Sequence, residues 1–255
     1  MKLLQRTILI TGGTSGIGFE LARQLLARGN TVIVTGRDAQ RLADARRRLP
    51  GLHGVVSDVA DPVAIAALHA ETTARFPALD VLVNNAGIMR NLDLARPRAL
   101  ADVTCEIDVN LRGPLQMVQQ FLPHLSARGE AAIVNVSSGL AFVPLAIAPV
   151  YSAAKSALHA YTRALRVQLA DSGVRVFEIA PPPVETRLMR AEFEAELKGS
   201  RGMAAEALAR RAIAGIERGH DEIRPGLANV LKAMSRAAPE FMFRQMTRMM
   251  KPEPA

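Results

Sequence analysis

Between a β-branched run at Thr7 to Ile10 and apolar residues at helical spacing in Phe19 to Leu26 lies Thr11-Gly12-Gly13-Thr14-Ser15-Gly16-Ile17-Gly18. A strand, a tight glycine-rich turn and a helix, in that order, aim backbone amides and a helix N-terminus at whatever sits above the strand's carboxyl end, which makes an anion site. Gly12, Gly16 and Gly18 permit the tight turn, the close approach of a pyrophosphate and close helix packing. The spacing G-x-x-x-G-x-G nevertheless differs from the commoner G-x-G-x-x-G. Gly29 and Asn30 then stop the helix and Thr31 to Thr35 supplies a second buried strand, which completes a βαβ unit of roughly 30 residues.

The pattern repeats. Helix is predicted for Arg37 to Leu49, Pro62 to Arg75, Val103 to Leu125 and Ser152 to Leu169. Strand is predicted for Gly54 to Val56, Val81 to Val83, Ala132 to Val136 and Arg175 to Ile179. Continuously apolar strands alternating with helices call for a parallel sheet covered on both faces, and right-handed crossovers leave a doubly wound, Rossmann-type α/β fold. No linker, repeat or low-complexity tract divides the chain, so residues 1–255 read as one domain. Beyond Ile179, Pro181-Pro182-Pro183 cannot continue a strand and Glu185 to Arg218 is charged and helical in pattern. Residues 186–255 therefore read as a substrate lid and a C-terminal helical cap on that same domain.

A length of 255 residues, 49% hydrophobic and 22% charged, suits one large core and excludes a disordered or collagen-like chain. The lone Cys105 can form no internal disulfide and no Cys-built metal site, which points to a reducing, cytoplasmic setting. Basic residues outnumber acidic ones 32 to 24, but 4% aromatics and no tryptophan leave few stacking platforms for nucleic acid. The densest basic run, Arg46 to Arg48, reads as a solvated helix face, and no nucleic-acid partner is expected. The N-terminal apolar patch is too short for a signal sequence. Ala131 to Ala154 carries no charge, yet Asn135, Ser137, Ser138, Gly139, Pro144 and Pro149 argue against a lipid-exposed helix, and no transmembrane segment is expected.

The end of the second strand selects between dinucleotides with and without a 2′-phosphate. An acid there accepts from the ribose 2′-hydroxyl and repels the phosphate. Thr35-Gly36-Arg37 offers no acid, and Arg37 is a planar multi-donor cation suited to a phosphate. NADP is expected; NAD stays open because Asp38 lies one residue further on.

Tyr151-Ser152-Ala153-Ala154-Lys155 begins a helix and puts Tyr151 and Lys155 on one face. A free phenol, with a pKa of about 10, is a poor acid-base catalyst at neutral pH, and a nearby ammonium lowers that value. Together the pair makes a tuned proton donor.

With the glycine loop, Asn84-Asn85-Ala86-Gly87, Ser138 and the Tyr-Lys pair in this order, the chain resembles the short-chain dehydrogenase/reductase family over nearly all of Thr7 to Thr186. The resemblance implies an oxidoreductase that moves a hydride between NADP(H) and a small-molecule carbonyl or alcohol. It implies cofactor contacts from Gly12, Thr14, Ser15, Gly16, Ile17, Gly18 and Arg37, and from Asp58 and Val59 at the adenine. Asn85, Ala86 and Gly87 follow from the fourth-strand motif, and Pro181, Val184 and Thr186 from the nicotinamide-contacting segment. The implied catalytic tetrad is Asn110, Ser138, Tyr151 and Lys155. Tyr moves the proton and Ser holds the reacting oxygen. Lys binds the nicotinamide ribose and depresses the Tyr pKa, and Asn fixes a relay water.

Ser138 has the family's spacing before the tyrosine, which leaves Ser137 as a structural partner. Pro181-Pro182 stands where the family has Pro-Gly and removes a glycine's freedom and one amide donor. Gly87 to Asn91, Gln119 to Leu125 and Val134 to Pro144 narrow the resemblance to one bacterial branch. Family members pair their two long helices across a twofold, so a homodimer or homotetramer is implied.

Other features read more plainly. Asn84 is expected to satisfy backbone groups at a strand end, and Cys105 to be a buried, inert thiol. The five histidines show no metal-ligand spacing, and no metal site is expected. Met242, Met246, Met249 and Met250 recur at helical intervals beside Arg244, Arg248 and Lys251; core or subunit packing is favoured over a membrane-surface helix. An apolar pocket is expected from Leu140, Phe142, Val143, Pro144 and Leu145 after Ser138, and from Leu188, Met189 and Phe193 in the lid. Arg90 either anchors a substrate carboxylate or phosphate there or turns to solvent and Asp93. A cofactor-sensing regulatory or interaction protein on the same fold is the alternative to an enzyme, and the intact tetrad argues against it.

Overall fold

A computed structural model describes residues 1–193 and 202–249. Its first six strands are β1 (Thr7–Ile10), β2 (Thr31–Gly36), β3 (His53–Val56), β4 (Leu79–Asn84), β5 (Ala131–Val136) and β6 (Val174–Ile179). A small separate sheet pairs β7 (Val184–Glu185) with β8 (Met203–Ala204), and β9 (Glu222–Ile223) follows. The main sheet runs β3-β2-β1-β4-β5-β6-β9 with every pairing parallel.

Side chains of each strand alternate between two buried faces. Ile8 and Ile10 of β1, with Val81 and Val83 of β4, pack against α1 (Gly16–Leu26), α2 (Ala39–Arg48) and α8 (Ala205–Arg218) through Leu21, Leu25, Leu42, Leu208, Ile213 and Ile216. Leu9, Leu82 and Ile133 point the other way, onto α3 (Pro62–Arg75), α5 (Gly113–Ser126) and α6 (Pro149–Gln168), and meet Leu68, Met117, Phe121 and Leu165. Burial on both faces is why the strands are apolar at every position rather than at alternate ones. Asp38 and Asp61 cap α2 and α3, and Pro62 sits at the first turn of α3, where its missing N–H costs nothing.

The helix predicted over Val103 to Leu125 is in fact three pieces: α4 (Leu100–Ile107), a π-helical turn at Asp108–Arg112, and α5. Pro114 has no N–H to give the Asn110 carbonyl four residues back, and the Gly113 N–H reaches Asp108 O, five residues back. The apolar periodicity runs on through this offset and hides it. The charged stretch after Glu185 also departs from one continuous helical pattern. It holds α7 (Arg187–Phe193), β8 and α8, and part of it lies outside the described residues. β9 has two residues and no apolar run to announce it; β6 captures it through Glu178 beside Glu222 and Ile179 beside Ile223. Beyond it, α9 (Leu227–Ala237) and α10 (Pro239–Met249) complete the cap. Among the described residues no helix is long and apolar enough to cross a membrane.

Candidate active site

The strand order reverses between β1 and β4, and the loops leaving their carboxyl ends diverge into a crevice, where ligands of doubly wound sheets bind. The two loops are tied together. Thr11 Oγ1 accepts from the backbone amides of Asn85 and Ala86, both at 3.0 Å, while Asn85 Nδ2 donates to Thr11 O at 2.9 Å and Gly12 O at 3.1 Å. The Asn85 side chain thus stitches the glycine loop to β4. Gly12 adopts a φ of +66°, and a Cβ there would lie 2.8 Å from Ala86 Cα, so the position demands glycine twice over. Asn84 Nδ2 donates to Asn135 Oδ1 at 2.9 Å across the sheet, a side-chain partner in place of the backbone groups expected for it.

A cavity of about 720 Å³ follows the strand ends. At one end it is lined by Arg37, Arg41, Asp58 and Val59, and beside them by Thr14, Ser15, Gly16 and Ile17 of the glycine loop. Asn85, Ala86, Gly87, Pro181, Val184 and Thr186 line its middle, and Ser138, Tyr151 and Lys155 its far end. Gly18 and Asn110 stand behind the wall. Asn110 is fully buried in the π-helical turn; its Nδ2 donates to Ile88 O at 2.7 Å and its Oδ1 accepts from the Ile88 amide at 3.2 Å, clamping the chain just after Gly87.

Asp38 lines this end of the cavity too, and it also caps α2. Its carboxylate accepts from the amides of Gln40 and Arg41 at 2.9 and 3.1 Å as the α2 cap. Arg37 and Arg41 both reach the cavity, with carboxylates of Asp58 and Asp38 at 3.8 and 3.5 Å. Arg41 escaped the sequence reading because it is one helical turn beyond the strand end.

Of the four residues expected to form a tetrad, Tyr151 and Lys155 are buried one turn apart on α6, and the ammonium stands 5.6 Å from the phenol ring centroid and donates to Val136 O at 2.9 Å. The phenol is pushed up to about 12 by burial, against a hydrogen bond with Ser138; the negative charge of Glu106 adds to the rise. Burial likewise pulls Lys155 down to about 8, and Glu178 acts against it. The lowered tyrosine expected from the Tyr-Lys spacing is therefore not what the protein alone produces: burial dominates and raises it. With its pKa so raised, Tyr151 carries its hydroxyl proton at physiological pH, and it lines the cavity. Ser137 points away and donates to Glu178, which leaves Ser138 facing the site.

The glycine cradle, the two arginines and this end group fit a nicotinamide dinucleotide in shape and charge. Residues 6–197 match the family model described as short chain dehydrogenase. The chain belongs to the short-chain dehydrogenase family. It is 42% identical over 247 residues to the "Uncharacterized oxidoreductase DltE" of Bacillus subtilis, covering 96% of this chain and 98% of that one. It is 39% identical to the cis-4-hydroxycyclohexanecarboxylate dehydrogenase of Sinomonas cyclohexanicum, over 72% of this chain and 76% of the relative. A short chain dehydrogenase from Burkholderia cenocepacia J2315, solved in complex with NADP, superposes with a TM-score of 0.83 at 27% identity, covering 99% of this chain and 100% of that one. This is an NAD(P)-dependent short-chain oxidoreductase of the class acting on alcohol and carbonyl groups.

The substrate end of this dehydrogenase corrects two expectations. Arg90 neither enters the cavity nor pairs with Asp93. Its guanidinium binds Asp102 Oδ1 at 2.6 Å and the Asp102 carbonyl at 2.7 Å, and its amide donates to Glu106 at 3.1 Å. Because α4 starts at Leu100, Asp102 and Glu106 stand one turn apart facing residue 90, and Asp93 is left to Arg96. Of the five apolar residues expected from the loop after Ser138, Leu140 and Leu145 line the cavity and the other three do not. Phe142 packs edge-on against His159 with centroids 5.1 Å apart, Val143 is buried elsewhere and Pro144 is exposed.

The lid residues Leu188, Met189 and Phe193 line the cavity as expected. Met246 of α10 and Leu231 of α9 join them, so part of the methionine stripe is pocket wall; Met250, Lys251 and the Met249 side chain lie outside the described residues. Met89 and Arg187 also line the site and carry no local sequence signal. Cys105 is half-buried. His159, Glu178 and Glu222 bring ligand-type atoms within 4.8 Å of one another, a tertiary cluster that histidine spacing could not reveal. Lys232 and Arg224 bind Glu222 within it.

Proposed function

We propose that this dehydrogenase moves a hydride between NADP(H) and a carbonyl or alcohol, with Tyr151 as proton donor and acceptor. The observation that carries the reading is a buried Tyr151 that, with Ser138 and Lys155, lines one cavity with the glycine loop and with Arg37 and Arg41. A nicotinamide cofactor, when bound, supplies or accepts the hydride. The chain's own residues do the rest: the Ser138 and Tyr151 hydroxyls hold the reacting oxygen, and Tyr151 gives it a proton in the reductive direction. Lys155 sets the charge beside the phenol, and Asn110 keeps the Gly87–Ile88 backbone in place beneath the site. Oxidation of NADPH by a panel of carbonyl compounds tests the reading, and absence of turnover across aldehydes, ketones and oxo acids would overturn it.

The preference for NADP over NAD rests on Arg37 and Arg41 and on Asp38 being occupied as a helix cap. Each charged hydrogen bond to a phosphate is worth about 1.5–3 kcal/mol. Replacing both arginines by alanine is expected to weaken NADPH binding by about tenfold or more in a fluorescence titration and to leave NADH nearly unchanged. Equal loss for both cofactors would contradict the assignment.

For the substrate, the apolar walls and one basic side chain at their edge favour a hydrophobic alcohol or ketone that carries a carboxylate. Arg187 lines the cavity and has no carboxylate partner among the described residues. The relative named for a hydroxycyclohexanecarboxylate, an apolar ring with one acid group, supports this class. Arg187→Leu is expected to raise KM for carboxylate-bearing substrates about tenfold while sparing uncharged ones, as loss of one charged contact does. An equal effect on both classes would remove Arg187 from substrate recognition.

A further inference from the structure

Tyr151, Lys155 and His159 stand at four-residue intervals on α6. The third member has no part in the tetrad, but it faces a carboxylate that does not belong to an ordinary core. Glu178 on β6 is fully buried, and both its oxygens lie near His159 Nδ1, at 3.0 and 2.8 Å. It also accepts from Ser137 Oγ. Register fixes where this charge sits: Glu178 lies beside Asn135 and Ile179 beside Val136, and Val136 O is the acceptor that holds the Lys155 ammonium. The carboxylate is therefore packed behind the lysine and next to the serine pair. Burying a carboxylate costs several kcal/mol unless it is paired and hydrogen-bonded, and here His159 and Ser137 supply those partners.

The surrounding charges are accounted for from every side. On β9, Glu222 is engaged by Lys232 of α9 and by Arg224 at 2.8 Å. Asp221 gives its carbonyl to the Glu178 amide, and its carboxylate lies 3.8 Å from Arg166 of α6. Glu106 of α4 acts on Tyr151 from the opposite side. The charge that acts on Lys155 is Glu178, with His159 and Ser137 as its hydrogen-bond partners.

We propose that Glu178, oriented by His159, is a positioning residue: it supplies the countercharge to the Lys155 ammonium and, through Ser137, seats the neighbouring Ser138. The inference deepens the dehydrogenase reading and rests on it. Its physical consequence has a definite sign. An anion makes every nearby proton harder to lose, so removing it lets both Lys155 and Tyr151 deprotonate at lower pH. Burial alone already draws Lys155 down to about 8, and the Glu178 charge is what opposes a further fall.

The test is Glu178→Gln, which keeps the shape and hydrogen-bonding capacity but loses the charge, beside Glu178→Asp, which keeps the charge on a shorter arm. For each protein, kcat/KM for carbonyl reduction and the NADPH dissociation constant by fluorescence are measured from about pH 5 to 10, a window that brackets the ordinary histidine and lysine ranges. The glutamine variant is expected to move the alkaline limb of both profiles toward acid by about one unit. The aspartate variant is expected to leave that limb in place while kcat falls, because Ser137 loses its partner. A uniform loss of rate with unmoved limbs in the glutamine variant would reduce Glu178 to a structural role, and an equally shifted limb in the aspartate variant would overturn the charge argument. If the glutamine variant does not fold, the aspartate limb alone still decides against the proposal when it moves. Should the wild type bind NADPH but turn over no carbonyl, the dehydrogenase reading fails, while the pH dependence of NADPH binding continues to test Glu178.

Discussion

Tyr151→Phe is expected to lower turnover by about 10²–10⁴-fold, the range that a positioned acid-base group supplies, while NADPH affinity stays within about twofold. The substitution removes one hydroxyl and leaves the ring that fills the buried space beside Leu145, Ala148 and Phe193. Ser138 keeps its place, because its Oγ also accepts from the Leu140 amide at 3.1 Å. What disappears is the hydroxyl proton that Tyr151 would give to the reacting oxygen. Because burial pushes the phenol up to about 12, the donor form persists across the physiological range, and wild-type carbonyl reduction should lose rate on the alkaline side first through Lys155, which titrates near 8. Steady-state kinetics of both proteins, with cofactor titrations alongside, check this. Near wild-type rates for the phenylalanine variant would remove Tyr151 from the chemistry.

Gly18→Ala is expected to cost at least tenfold in NADPH affinity and about 1–3 kcal/mol of stability, the usual penalty for an overpacked site. A single methyl there would sit 2.4 Å from Asn85 Nδ2 and 2.5 Å from Gly12 O. Neither neighbour can give way cheaply. The Asn85 amide is held by two carbonyls of the glycine loop, and Gly12 is locked in a left-handed turn against Ala86. Relief of the clash must therefore separate α1 from the β1 and β4 loops, and the anion cradle opens with it. Thermal melting and fluorescence titration read the two effects, and an alanine variant with unchanged affinity would show that the loop tolerates that displacement.

Local pattern decided much of this protein. Apolar strands at Thr7 to Ile10 and Thr31 to Thr35, the glycine turn between strand and helix, and the Tyr-Lys pair one helical turn apart are each set by residues near in sequence, whose periodicity and backbone freedom dictate the element before any distant contact forms. The order of these motifs carried the family, and the fold brings the residues named from them to one cavity, except Gly18 and Asn110, which do not line it.

Tertiary structure decided what lies between elements. Whether Arg90 reaches the cavity or Asp102 depended on where α4 begins, and the turn after β2 is what lets Asp38 cap α2 at the cavity's edge. The π-helical turn that holds Asn110 follows from a proline whose effect the apolar repeat conceals. The state of Tyr151 turned on burial, which no spacing of residues can supply: two side chains four apart attract or desolvate one another according to what covers them, and that covering comes from Phe193, Met89 and Met246, drawn from three distant parts of the chain. The Glu178–His159 pair belongs to the same category, since sheet register and a helix laid across it are what place a lone glutamate behind a lysine.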